Sequence, residues 1–319
     1  MKPENGKALF WSCLCAFALA FCGGCQKAGS KVSPLKRQGS EPIDVVCTTG
    51  MVADLVKHVG GKHVKVTQMM GEGVDPHLYK ASPGDVSAME SAEMIFYSGL
   101  HLEGNLVSSF ESLAKSKPVY AVTDEIQRWF HDRLLKGDGD THDPHVWFDV
   151  SLWQKTLRLI ADRLADYDPA HASEYVANAK SYSEKLSALH KECLAKIEEI
   201  PKERRVLVTA HDAFHYFGKA YGIEVRAVQG VSTEAEAGVK QVEELVSFLV
   251  ERKIRAVFAE SSVSDDNIKQ LIEGCQAQGH ELSLGGKLFS DAMGKPGTPE
   301  GTYEGMIRHN LDVIVKALR

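Results

Sequence analysis

Cysteine is scarce where it could organise a fold. Of seven cysteines, Cys13, Cys15, Cys22 and Cys25 crowd the start of the chain and only Cys47, Cys193 and Cys275 remain for the rest. That odd, scattered set holds no C-x-x-C pair, which excludes a disulfide framework and a thiolate zinc site and leaves each as a buried small hydrophobe. Basic runs are missing as well. With a formal net charge of -6 and no stripe of Lys and Arg to follow a phosphate backbone, nucleic acid is excluded as a partner. H-E-x-x-H is absent, and no other pairing of metal ligands with a general base takes its place.

What is present begins with an apolar run, ALFWSCLCAFALAFCGGC, preceded by Lys2 and Lys7. It is too short and too early for a spanning helix and reads as a secretory signal over residues 1–24. Gly23-Gly24 before Cys25 resembles a bacterial lipoprotein processing site, in which the cysteine becomes the lipidated first residue; Cys22 stands where such sites usually carry Leu. Residues 25–42 are polar, basic and rich in Gly, Ser and Pro, the composition of a flexible tether.

The remaining length suffices for two domains. From Ile43, strand patterns (IDVVCTT, HVKVTQMM, MIFYS, PVYAV) alternate with helical ones (MVADLVKHVG, PGDVSAMESAE, NLVSSFESLAKS). The alternation restarts at RVLVTA and runs through DAFHYFGKAYG, IEVRAVQ, AGVKQVEELVSFLVERK, AVFAE, DDNIKQLIEGCQAQG and a last strand, ELSL, to a closing helix. The fold class expected is α/β, two lobes with parallel sheets flanked by helices. The lobes occupy residues 43–168 and 201–319. Between them, Tyr175, Ala179, Tyr182, Leu186, Leu189, Cys193 and Ile197 recur at spacings of three and four, which predicts one long rigid helix over residues 169–200, bounded by Pro169 and Pro201.

Most of the thirteen histidines have dull explanations. His58, His171, His190 and His309 sit among charged residues in predicted helices, and His63, His131, His142 and His280 lie in loops, all read as solvated surface. His101 follows a strand end but has little to mark it as a ligand. His77 and His145 differ, because each follows Asp-Pro, and proline presents the next imidazole from a restrained backbone. His211 follows the strand RVLVTA directly; His215, one turn on, belongs to an aromatic helix face. Asp291, in LFSDAMG, lies beyond the last strand. Three imidazoles and a carboxylate from four loops, two per lobe, make a coherent transition-metal site. Glu260, at the end of AVFAE, is expected beside it rather than in it.

The segments GVDPHLYKASPGDV, YSGLHLEG, DPHVWFDV, VTAHDAFHYFGKAYGI, GVSTEAEAG, FAESSVS and LFSDAMG resemble, in order and spacing, those of the manganese/zinc solute-binding proteins of bacterial ABC transporters, the TroA-like family. The resemblance spans the chain from about Ile43 onward. It implies two lobes joined by a rigid helix with one divalent metal between them, held by His77, His145, His211 and Asp291. It implies a protein that is not an enzyme. It also implies a carrier working as a monomer outside the cytoplasmic membrane and delivering the ion to a membrane permease driven by an ATPase.

Two departures leave the metal open. The segment HDRLLKGDGDTHD is shorter and poorer in histidine than the loop of zinc-dedicated members, whereas His211 stands where manganese-dedicated members often have Glu. Zn2+ and Mn2+ are both expected, with Fe2+ a third candidate. The rival readings are a secreted metal-dependent hydrolase and a lipid-anchored adhesin with a structural metal.

Overall fold

The computed structural model describes residue 37 and residues 39–319, so the expected signal segment and Cys25 lie outside the described residues. The first lobe runs β1 (Ile43–Cys47), α1 (Gly50–Gly60), β2 (Val64–Gln68), α2 (Pro83–Ser91), β3 (Met94–Tyr97), α3 (Val107–Leu113) and β4 (Val119–Ala121). Its strands form a parallel sheet in the order β2-β1-β3-β4. Three helices follow, α4 (Asp124–Trp129), α5 (Val150–Trp153) and α6 (Thr156–Tyr167), in a stretch to which the sequence reading assigned no element. Then come α7 (Ala172–Ile197) and the second lobe: β5 (Val206–Thr209), α8 (His215–Tyr221), β6 (Glu224–Ala227), α9 (Val239–Glu251), β7 (Ala256–Glu260), α10 (Asp266–Ala277), β8 (Ser283–Leu288) and α11 (Tyr303–Leu318). Its sheet is parallel too, ordered β6-β5-β7-β8.

In the second sheet the central strands are buried along their length, as a sheet covered on both faces requires: every residue of β5 and β7 is buried, while edge strand β2 of the first sheet alternates. The last strand departs from expectation. It spans Ser283–Leu288 rather than Glu281–Leu284, because Gly285 and Gly286 continue it. A Cβ on Gly285 would meet the Phe258 ring at 2.8 Å, so a small residue is needed where the strand passes that ring.

Helix α7 has 26 residues, about 39 Å at 1.5 Å per residue, and buries the seven positions that its spacing marks. It is fastened to both lobes. Tyr182 donates to Asp54 of α1 at 2.5 Å, and Asn178 donates to the Val59 carbonyl; at its other end Glu192 accepts from Arg308 of α11, and Lys196 pairs with Asp312. The largest apolar cluster is shared between the lobes: Phe148 stacks on Phe214 with centroids 4.3 Å apart, and the Tyr303 hydroxyl donates to the Trp147 carbonyl. Two smaller clusters serve the outer faces of the sheets. Opening the lobes widely would expose the shared core to water, which opposes a large hinge motion.

Candidate metal centre

The loops after the carboxyl ends of the strands converge where the lobes meet. His77 follows β2, His145 precedes α5, His211 follows β5 after one residue, and Asp291 follows β8. In the second sheet the strand order reverses between β5 and β7, so His211 and Glu260 stand at the topological switch point where parallel sheets form sites. His145 and His211 are wholly buried, Asp291 is 1% exposed and His77 is 5% exposed. One ligand atom from each lies within 4.8 Å of all the others.

Nε2 of His145 is 3.3 Å from Nε2 of His77 and 3.2 Å from Oδ1 of Asp291, while Nε2 of His211 is 3.2 Å from Oδ2 of Asp291. Both Asp291 oxygens and His211 Nε2 are buried without a well-formed hydrogen bond. Buried polar atoms are almost always satisfied, and atoms left without partners around one point mark a place shaped for an ion.

Carboxylates hold the ring nitrogens that face away from that point. Glu260 accepts the His211 backbone N–H at 2.7 Å through Oε1, and its Oε2 is 2.5 Å from His211 Nδ1. Oδ1 of Asp143 accepts the His145 N–H at 2.9 Å and lies 2.7 Å from His145 Nδ1. Asp75 accepts the His77 N–H at 2.8 Å, and its other oxygen accepts the Thr233 hydroxyl from across the cleft. Thus the aspartate of each Asp-Pro-His turn fixes the histidine two residues on. The sequence reading credited the proline and missed the aspartates, although an Asx turn is legible in that order.

The electrostatics follow the geometry. Burial lowers His77 to about 4. Burial also opposes charge on His145, but Asp143 and Asp291 outweigh it and raise the ring to about 9. His211 is raised well above its usual value against burial, by Glu260 and Asp291. Burial likewise opposes charge on Asp291, yet His211 and His145 hold its carboxyl well below the usual range. At neutral pH two protons therefore occupy imidazoles that a cation would take over.

Other expectations sort cleanly. His215 is partly exposed and pairs with Asp212 at 3.1 Å, outside the cluster. His101 is exposed on the rim, where Leu100 and His101 both adopt positive φ. That turn is held by buried Glu103, which accepts from Thr48 Oγ1, Ser98 N and Gly99 N; no sequence signal had marked it. A cleft of about 180 Å³, lined by His77, His101, His142 and Glu234 among others, leads to the cluster. His63 and His171, read as separate surface residues, meet each other and Glu174 in a second group.

Fold and site together define a two-lobed α/β binding protein with a buried centre fit for one metal ion between its lobes. Residues 45–317 match the family described as ZnuA, zinc-uptake complex component A periplasmic. The chain belongs to this family. It is 46% identical to the manganese-binding lipoprotein MntA of Bacillus subtilis (strain 168), covering 95% of this chain and 96% of the relative. It is 44% identical to the zinc-binding protein TroA of Treponema pallidum (strain Nichols), covering 96% and 97%. The solved periplasmic zinc binding protein TroA from Treponema pallidum superposes with a TM-score of 0.84 at 44% identity, over 87% of this chain and 99% of that one.

Proposed function

We propose that this protein captures one divalent transition metal, Zn2+ or Mn2+ with Fe2+ a third candidate, outside the cytoplasmic membrane and delivers it to the permease of an ABC-type importer. His77, His145, His211 and Asp291 are its ligands. The observation that carries the reading is the convergence of three Nε2 atoms on a buried carboxylate whose two oxygens lack other partners. The relatives named for manganese and for zinc support the cargo class.

The protein is a carrier and not an enzyme. Four protein ligands close the centre, and the carboxylates just beyond them, Glu260 and Asp143, are engaged by His211 and His145 rather than held ready as a general base for a hydrolase. An adhesin with a structural metal is disfavoured by the shared apolar core, which holds the lobes without needing an ion. The same reading takes residues 1–24 as a signal peptide, Cys25 as the lipid-bearing anchor, residues 25–42 as its tether, residues 43–168 and 201–319 as lobes, and residues 169–200 as their connecting helix. The carrier works as a monomer held at the outer face of a bacterial membrane. Among the described residues no helix is long and apolar enough to cross a membrane.

The test is elemental analysis of protein purified without added metal, paired with competitive titration of Zn2+ against Mn2+ in wild type and His211→Ala. One tightly held equivalent, lost or weakened by the substitution, is expected. No tight equivalent with either ion would overturn the assignment. Chelation should strip the metal and leave the protein folded, whereas a structural site would unfold with it.

A further inference from the structure

A second group of metal-ligating side chains lies at the opposite end of β2 from the buried centre. His63 leads into β2 at the end away from His77, and its Nε2 is 2.9 Å from Oε2 of Glu174 in the first turn of α7. The ring of His171, immediately before α7, stacks on that of His63 with centroids 3.8 Å apart. One ligand atom from each of the three residues lies within 4.8 Å of the others.

Neighbouring contacts orient the group. Oδ2 of Asp168 is 2.7 Å from His171 Nδ1, and the same oxygen accepts the Tyr175 hydroxyl at 2.7 Å. A carboxylate on one ring nitrogen fixes the tautomer and leaves Nε2 free to ligate, the arrangement by which proteins aim histidines at metals. The Tyr175 ring meets His63 edge-on, restraining it in turn. As Asp143 and Glu260 do at the buried centre, the orienting carboxylate stands outside a group of two imidazoles and one carboxylate, the donor set of a zinc site with positions left for water.

Two features weaken it. The Lys62 ammonium is 3.6 Å from Glu174, although with its side chain 77% exposed it can swing into solvent at small cost. The positive end of α7 also opposes a cation. Both put the affinity below that of the buried centre.

We propose that His63, His171 and Glu174 form a second, weaker site for Zn2+ or a cation of like preference, oriented by Asp168 and separate from the buried centre. It lies beside Arg37. The Arg37 guanidinium approaches the same Asp168 oxygen at 3.9 Å, and the Arg37 N–H donates to the Tyr167 carbonyl. An ion there ties the start of β2 to the head of α7. Two imidazoles favour zinc over manganese, and at a site already weakened by Lys62 and the helix end that preference decides which ion is held.

The experiment is calorimetric titration of the full chain with Zn2+ and separately with Mn2+, in wild type and in His145→Ala, each with and without Glu174→Gln or His171→Ala. Wild type should take two zinc equivalents but one of manganese, and the weaker zinc equivalent should disappear in Glu174→Gln and in His171→Ala. Asp168→Asn should weaken that equivalent about 10–100-fold. In His145→Ala a zinc equivalent sensitive to Glu174→Gln should persist, which keeps this outcome independent of the carrier reading. Thermal melting confirms that each variant folds, and Glu174→Gln, on an exposed side chain, preserves shape if a histidine variant does not. A single zinc equivalent in wild type, or a second one indifferent to both substitutions, overturns the proposal.

Discussion

The two Asp-Pro-His turns are chemically identical and do different work. In each, the aspartate accepts the N–H of the histidine two residues on. At the second, the same Asp143 oxygen also holds the His145 ring, which is wholly buried and raised to about 9. At the first, Asp75 leaves the His77 ring alone and spends its other oxygen on Thr233 of the opposite lobe, and burial lowers His77 to about 4. His145 is therefore a fixed wall of the centre. His77, 5% exposed and lining the rim cleft, is the side of the centre that faces its mouth. A sequence repeat fixes a backbone device; the third partner decides what the device is for.

The strongest way to break this contrast is to remove each ring. His145→Ala should abolish the tight metal equivalent and, by leaving Asp143 buried without its partner and Asp291 with only His211, cost about 3–5 kcal/mol of fold stability. His77→Ala should weaken binding while leaving the melting temperature of the metal-free protein nearly unchanged. Competitive titration and calorimetric melting read both effects, and equal destabilisation by the two variants would erase the distinction. Next in size come the orienting carboxylates. Asp143→Asn and Glu260→Gln should each weaken the metal about 10–100-fold, and Asp75→Asn should do less, because only in the first two does the carboxylate touch a ligand ring.

How much of this could be read from the chain alone follows the range of the interactions. The seven buried positions of α7 were legible because helical spacing is local, and the parallel lobes were legible because β and α patterns alternate. The four clustered side chains were legible because each sits next to a strand end or a proline. What failed was long-range. Nothing near Glu103 signals that it will hold the turn after β3, and nothing joins His63 to His171 before the fold does. The final strand was cut short because glycine reads as an end, although at Gly285 it answers the bulk of Phe258.

Proton competition sharpens the contrast more gently. Since His145 and His211 are raised above the ordinary histidine range, loading near neutral pH should release about two protons, and affinity should climb with pH through about 9, where His145 titrates. Stability of the metal-free fold should move the opposite way. A raised folded-state value stabilises fully below the unfolded histidine value of about 6.5, and that contribution fades as pH rises through about 9. His77, lowered to about 4, contributes the reverse below neutrality, where the unfolded chain takes up the proton first. Melting scans of metal-free and metal-loaded protein from pH 6 to 9 should diverge; parallel curves would mean that the buried imidazoles carry no extra protons.

The smallest effect expected is also the most specific to the His77 side. Thr233 donates to Asp75 at 2.6 Å across the cleft, and Asp75 in turn holds the backbone of His77. Thr233→Val keeps the shape and removes the donor, so the clasp between lobes is lost while every ligand and its orienting carboxylate stay in place. A hydrogen bond to a charged group is worth about 1.5 kcal/mol at the low end, which fits this partly exposed one and sets a ceiling of about tenfold. That change should appear as faster metal release into excess chelator in stopped flow, with the association rate nearly unchanged. If release is unaltered in Thr233→Val but faster in Asp75→Asn, then the turn itself, and not its reach across the cleft, holds His77 in place.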